Sequence, residues 1–392
     1  MWSVELTWIA WAVAALTLFH AGAALWLIRG MGRSLPVENE RPPVSVVVAA
    51  RDEAEAIGGL VAAITGQDYE GPVELIVVDD RSVDGTADHA QRHAECVGSG
   101  RSVRILRIAH TPPGVSPKKH SLGVGIDAAR HELLAFTDGD TRPEPTWISA
   151  MSTHLGDEVG LVIGPAPIDG AGWLGRVASL EALGLGAVAA GSAGAGYALT
   201  CTGRNLLYRR RALADAGGMQ ASAGLGAGDD DLTMGRLRDE TEWRIVHARG
   251  RAAAVRGRAK REWGDWIAQR RRHASNSTRF APRIVAGLGV LYLYHLLPIL
   301  LVGMGFVAWN PLGCWALAGA AWGVRAAIDW GLLANAARRF GEDPPSIALG
   351  IVEPLFSLMV VVVAPLGILR GYSWKGERFP RGKVRPPKKR TI

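Results

Sequence analysis

The residues best suited to chemistry lie in FTDGDT, residues 136 to 141, where Asp138 and Asp140 stand two apart at the end of an apolar run. Two carboxylates in that spacing at a strand-to-loop edge can share one hard divalent cation and leave its other side open to a diphosphate. The same spacing also occurs in ordinary acidic turns. VVDDRSVDGT, residues 77 to 86, places Asp79 and Asp80 at another strand end, with Ser82, Asp84, Gly85 and Thr86 suited to capping the next helix. Capping explains the SVDGT half. It gives no reason for two adjacent carboxylates, which suit a nucleobase N–H. A third apolar run ends in ARDEAEAI, residues 50 to 57.

The elements that must position these groups follow from periodicity. VSVVVAA (44 to 50), ELIVVDD (74 to 80), VRILRI (103 to 108) and ELLAFTD (132 to 138) read as buried strands. They alternate with helical stretches at 53 to 66, through Ala94, and at 119 to 130. Alternation of this kind predicts an α/β fold with a mostly parallel sheet covered on both faces. Ligands of such sheets bind at the C-terminal strand ends, where the acidic residues fall.

With these motifs the chain resembles membrane-bound glycosyltransferases of family 2, whose nucleotide-sugar domain has the GT-A fold. The resemblance implies that Ala50, Arg51 and Glu53 line a uridine pocket, with Asp52 standing where the family usually has Asn. It implies base recognition by Asp79 or Asp80, and a metal motif at Asp138 and Asp140 holding Mg2+ or Mn2+. It implies approach of Lys118, in SPKKHSLGVGI, to the donor diphosphate, Pro117 replacing the family's glycine. CTGRNLLYRRRAL, followed by Gly217 and Gly218, resembles the wall of the sugar pocket. The glycines before it do not follow the first strand of a βαβ unit and so make no dinucleotide fingerprint.

GAGDDDL, residues 226 to 232, resembles the family's Glu-Asp motif, with Asp229 in the glutamate's place and Asp230 as general base. A carboxylate there would take the proton from an acceptor hydroxyl attacking the anomeric carbon, and that single displacement inverts the configuration. An acidic helix N-terminus is the plainer reading of the same residues. Gln269 and Arg272 keep the spacing of the family's Gln-x-x-Arg-Trp motif, the arginine opposing charge on the departing diphosphate. His273 replaces the tryptophan on which processive synthases rest an acceptor sugar.

The formal charge of +7 is unevenly spread: 12 basic and 2 acidic residues fall between Arg244 and Arg283, and 9 basic and 1 acidic between Arg370 and Ile392. Taking out those bands, +10 and +8, leaves the remainder at −11. Basic bands beside apolar spans mark a cytoplasmic membrane flank, and no nucleic-acid motif accompanies them, so nucleic acid is not an expected partner. The three cysteines, Cys96, Cys201 and Cys314, form neither a ligand cluster nor a disulfide framework, which suits a cytosol-facing domain.

Residues 7 to 28 form an uncharged stretch of spanning length, followed by Arg29 and Arg33, and read as an anchor rather than a cleaved signal. Three further apolar stretches occupy 284 to 309, 312 to 336 and 346 to 370; Arg325 and Asp329 in the second are spaced to pair on one helix face. Both Arg338-Arg339 and the Lys/Arg tail favour the cytoplasm. The third stretch, bearing Pro354 and Pro365, is therefore expected to dip and return or lie at the interface, a full crossing being the alternative.

The expected organisation is an anchor (1–34), a GT-A catalytic domain (35–243), a basic interfacial segment (244–283), two to three membrane helices (284–370) and a basic tail (371–392). In the tail, Trp374, Lys375 and Arg378 of YSWKGERF suit a headgroup-level anchor. The expected activity is an inverting, metal-dependent transfer of a sugar from a nucleotide-sugar, UDP-linked, to a membrane lipid hydroxyl at the cytoplasmic face of the cell membrane. A processive synthase and an inert nucleotide-sugar sensor are the rivals. The missing tryptophan and few crossings weigh against the first, and the full set of carboxylates against the second.

Overall fold

The structure, a computed structural model, describes residues 2–384 apart from 36, 38, 39, 96–99, 227, 229, 308–309, 347–348, 376 and 381–383. Asp229 and Cys96 therefore lie outside the described residues, as does most of the basic tail.

After α1 (Trp2–Gly32) the chain alternates β1 (Val44–Ala50), α2 (Ala54–Thr65), β2 (Val73–Asp80), α3 (Thr86–Ala94), β3 (Arg101–Ile108), α4 (Pro117–Ala128) and β4 (Leu133–Asp138). There follow β5 (Arg142–Pro143), α5 (Trp147–Ser152), β6 (Val159–Ile163), β7 (Ile168–Asp169), α6 (Gly172–Gly194), β8 (Leu206–Arg209), α7 (Arg210–Asp215), α8 (Asp231–Glu240), β9 (Arg244–His247) and β10 (Val255–Arg258). The chain ends in α9 (Trp263–Ala274), α10 (Pro282–Gly305), α11 (Pro311–Phe340), α12 (Leu349–Arg370), β11 (Tyr372–Trp374) and β12 (Glu377–Phe379).

The main sheet has the order β3-β2-β1-β4-β8-β6-β9. β1 to β4 are mutually parallel, as the expected alternation requires, and β8 enters antiparallel between β4 and β6. All of β2 is buried, and β1 nearly so, because helices cover both faces. α2 and α5 pack on one face with Ile57, Leu60, Trp147 and Ile148, and α4, α7 and α8 on the other with Leu122, Leu213 and Met234. Arg244–His247, at the head of the basic segment, forms β9 at one edge of this sheet.

α6 is an element the sequence reading passed over. It is apolar and 23 residues long, yet both its ends connect directly to strands of the catalytic unit. Its glycines serve close packing: a Cβ on Gly191 would lie 2.6 Å from the Leu27 carbonyl oxygen of α1, and one on Gly194 2.1 Å from that of Gly30. α1, α6, α10 and α12 are each long and apolar enough to cross a membrane.

Two expectations about the apolar helices change. Arg325 and Asp329 each reach another helix instead of pairing together: Arg325 Nε is 2.7 Å from Glu353 Oε2 of α12, and His20 Nε2 of α1 is 2.7 Å from Asp329 Oδ1. α12 is one continuous helix through Pro354 and Pro365, with no dip and return. Its preceding segment nonetheless meets the catalytic unit through Glu342 and Arg256, and its following segment does so through Lys375 and the Arg51 carbonyl, 2.8 Å apart. Along its length it packs on α9: Val352 clusters with Trp266, and a Cβ on Gly367 would lie 2.5 Å from the Arg271 carbonyl oxygen.

Candidate active site

Strand register brings the sequence motifs level. Ala50 is the Cα partner of Asp79, and Ala49 that of Asp138, so three adjacent parallel strands end side by side. The turn after β4 is closed by Thr141, whose Oγ1 donates to the Asp138 carbonyl at 2.7 Å and lies 2.8 Å from Thr137 Oγ1. This turn carries Asp140 to a place where its charge acts on Glu53. Burial, followed by the charge of Asp140, raises the Glu53 carboxyl above its ordinary value, while Lys375 pulls it down.

The SVDGT loop does more than cap its own helix. Asp84 Oδ1 accepts from Thr86 N at 3.0 Å, its Oδ2 accepts from Ala54 N at 2.9 Å, and Thr86 Oγ1 accepts from Glu53 N at 2.8 Å. The loop thereby also satisfies the first N–H groups of α2. Asp52 takes a left-handed φ of 51°, which Asp tolerates as Asn does, and its Oδ1 accepts from Val83 N at 3.0 Å. The Asn-to-Asp departure thus leaves the local geometry in order.

Asp79 and Asp80 are both buried but differ in partners. Arg81 Nε donates to Asp80 Oδ1 at 2.8 Å, and Arg51 Nη1 lies 3.9 Å from Asp80 Oδ2. Asp79 Oδ1 has no hydrogen-bond partner among the described residues. Burial is the main cause that raises the Asp79 carboxyl, with Ser82 opposing it. Buried acceptors left unpaired cost free energy, so this atom suits a ligand that brings an N–H.

The cationic wall comes from distant segments. Lys118 Nζ at the start of α4 lies 3.1 Å from Asp138 Oδ1. Arg204, which sequence reasoning missed, sits where β8 begins opposite Phe136, just beyond the Asp138 turn. Its Nη2 donates to the Ala166 carbonyl at 2.7 Å, and it feels the charges of Asp138, Asp140 and Arg270. Asn205 fixes this loop by donating to Pro165 at 2.7 Å and Ala253 at 2.8 Å, while accepting from Trp147 Nε1 at 2.8 Å. The signal for Arg204 was present in CTGRN, but its role depends on an antiparallel strand that periodicity does not reveal.

α9 adds half-buried Gln269 and Arg272. His273 is exposed to solvent, close enough to Arg272, Arg270, Arg204 and Lys118 for their charges to act on it. Crowding by the surrounding protein first, then Arg272, Arg270, Arg204 and Lys118, hold it well below the ordinary histidine value. Asp230 caps α8, its Oδ1 accepting from Asp231 N at 2.8 Å and its Oδ2 from Gly203 N at 2.9 Å, next to Arg204. Asp231 is turned to Cys201 N and Thr200 Oγ1, both at 2.9 Å.

The hairpin β11-β12 is the other contribution that sequence reasoning misplaced. Lys375 is no headgroup anchor: it donates to the Arg51 carbonyl and lies 3.0 Å from Glu53 Oε1. Glu377 Oε1 accepts from Arg51 Nη1 at 2.9 Å and Arg81 Nη2 at 3.2 Å. The side chains of Trp374 and Arg378 lie outside the described residues.

Among the described residues no three His, Cys, Asp or Glu side chains converge as a closed metal cage. Asp138 and Asp140 are the carboxylates that could offer hard oxygen ligands to a divalent cation, with diphosphate and water needed for the rest of its shell, and Lys118 Nζ lies 3.1 Å from Asp138 Oδ1.

Comparison with known proteins bears on the fold and the family. PcManGT, a mannosyltransferase from Pyrobaculum calidifontis solved in complex with GDP-Man and Mn2+, superposes with a TM-score of 0.58 at 21% identity, covering 92% of this chain and 98% of its own; this establishes the shared fold. The putative glycosyltransferase EpsH of Bacillus subtilis is 32% identical over 124 residues, 32% of this chain and 33% of its own length. Dodecaprenyl-phosphate galacturonate synthase of Rhizobium johnstonii is 32% identical over 127 residues, 31% of this chain and 36% of its own. The matched region thus spans about a third of these relatives. Residues 9–383 match the description of Glycosyl transferase family 21, so the chain belongs to that family, with a GT-A fold.

Proposed function

We propose that this enzyme transfers a sugar from a UDP-linked donor to the hydroxyl of a membrane lipid at the cytoplasmic face of the cell membrane, inverting the anomeric configuration. The observation that carries the lipid acceptor is a groove of about 1490 Å3 that Asp140 helps to line. Trp173, Leu180 and Leu183 of α6, Phe340 of α11 and Val352 of α12 line its other walls. An amphiphile can keep its chains against these apolar helices while its hydroxyl reaches the carboxylates.

Asp79 accepts from the base, the hairpin covers the 51–53 segment, and Asp138 with Asp140 holds Mg2+ or Mn2+ against the diphosphate. The cation supplies charge neutralisation of the leaving group. Asp230, fixed by two backbone N–H groups, takes the proton from the acceptor hydroxyl as oxygen attacks C1 and the C1–O bond to the diphosphate breaks on the opposite face. Lys118, Arg204 and Arg272 oppose the charge left on the diphosphate, and Gln269 lines the approach. Asp229 is assigned the place beside the base by sequence alone. α1, α10 and α11 are assigned to the bilayer, and α6, α9 and α12 to its surface.

The test is incubation of the purified enzyme with labelled UDP-sugars, Mn2+ and a bacterial lipid extract. One organic-extractable glycolipid supports the reading; a ladder of long aqueous products favours a processive synthase, and nucleotide binding without turnover an inert sensor.

A further inference from the structure

Arg270 stands between Gln269 and Arg272, yet it does not face the membrane surface: it is 9% exposed. Its guanidinium pairs with Glu181 of α6, whose Oε2 also accepts from Trp266 Nε1 at 3.2 Å. The guanidinium carbon lies 5.5 Å from the Trp266 ring centroid. Both partners of the ion pair are nearly sequestered, with side chains 10% and 11% exposed, so solvent screens them weakly. The field of Arg270 reaches His273 and Arg204, and Arg204 in turn feels Asp138 and Asp140. Arg270 is thus electrically part of the cleft although its hydrogen bonds point away.

We propose that Glu181 is a positioning residue that cancels the charge of Arg270, so that the cleft releases its nucleoside diphosphate product. The inference rests on the proposed transfer reaction. Lys118, Arg204 and Arg272 already oppose the diphosphate. The freed nucleoside diphosphate carries more negative charge than the sugar-linked donor, so an additional uncompensated cation tightens product more than donor. Such tightening slows release without speeding the bond-breaking step. Glu181 also belongs to the helix that lines the acceptor groove, so the same ion pair fixes α9 relative to that groove.

The test uses the full-length protein in detergent with Mn2+, measuring UDP and GDP affinity together with single- and multiple-turnover rates. Glu181→Gln is expected to tighten UDP about tenfold and slow multiple turnover while leaving single-turnover chemistry near wild type. Arg270→Met alone frees the already raised Glu181 carboxyl to take up a proton, so UDP affinity should stay near wild type, and the double variant Glu181→Gln/Arg270→Met should lose the tightening of Glu181→Gln and return to wild-type affinity. A merely structural role would make every variant bind equally or more weakly with no restoration in the double, and that result overturns the proposal. Should wild type bind neither UDP nor GDP, the transfer reading itself falls and this inference with it; normal wild-type binding with an unshifted Glu181→Gln sinks this inference alone.

Discussion

Lys375 Nζ lies 3.0 Å from Glu53 Oε1 across 322 residues of sequence, joining the segment after the last apolar helix to the end of the first strand, where the nucleotide is proposed to bind. The same amine donates to the Arg51 carbonyl, and Glu377 pairs with Arg51 and Arg81, so β11-β12 roofs the end of the cleft where the base is proposed to bind. α12 runs directly into this hairpin, which ties the membrane-associated helices to the donor pocket.

Lys375→Ala is therefore expected to raise the donor KM about tenfold, the loss of a charge-assisted contact, with a small effect on the acceptor KM. Initial rates at varied donor and fixed acceptor measure this. An unchanged donor KM would show that the hairpin covers the site without taking part in it.

Asp230→Asn keeps one of the two backbone hydrogen bonds at its remaining oxygen, sets an amide N–H against the other backbone donor, and removes the base. Turnover is expected to fall by about 10²- to 10⁴-fold with nucleotide affinity unchanged. Transfer assays paired with UDP titration check it; an active variant moves the base to Asp229 or Asp231.

Asp79 offers a trade between stability and recognition. Its folded carboxyl is raised, chiefly by burial, so the folded state takes up the proton at higher pH than the unfolded chain. Above the raised folded value Asp79 is charged in both states and the burial cost stands in full. It is relieved as pH falls through the raised folded value and is gone below the unfolded one. Asp79→Asn should thus raise the thermal midpoint at pH 7, lose that advantage near pH 4, and weaken UDP binding. Melting curves at the two pH values test the sign, and a lower midpoint at pH 7 contradicts it.

Gly191→Leu places a side chain against the α1 backbone, where a Cβ would already lie 2.6 Å from the Leu27 carbonyl oxygen. Overpacking of this kind costs about 1 to 3 kcal/mol. The thermal midpoint in detergent should fall, whereas Gly289→Leu on α10, with open space around its Cβ position, should leave it nearly unchanged.

The strand ends were legible because parallel strands buried on both faces write unbroken apolar runs, and VSVVVAA, ELIVVDD and ELLAFTD each stop where charge begins. Register then does the rest, setting Ala50 beside Asp79 and Ala49 beside Asp138. α6 was hidden because its apolar length is broken by glycines that look like a loop until α1 is laid against them. Arg204, Glu181 and Lys375 act on or through residues 64 to 322 positions away, and no local pattern announces such pairings. Asp79 and Asp80 were equivalent in sequence; only the arginines that occupy Asp80 separate them.

The most direct measurement is the electron paramagnetic resonance signal of Mn2+ titrated into the enzyme with and without UDP, in wild type and in Asp140→Ala. The free-ion signal should drop with wild type only when UDP is present, because two carboxylates need the diphosphate to complete the shell, and Asp140→Ala should abolish the drop. UDP-dependent capture of Mn2+ that survives in Asp140→Ala would contradict the shared carboxylate–diphosphate site.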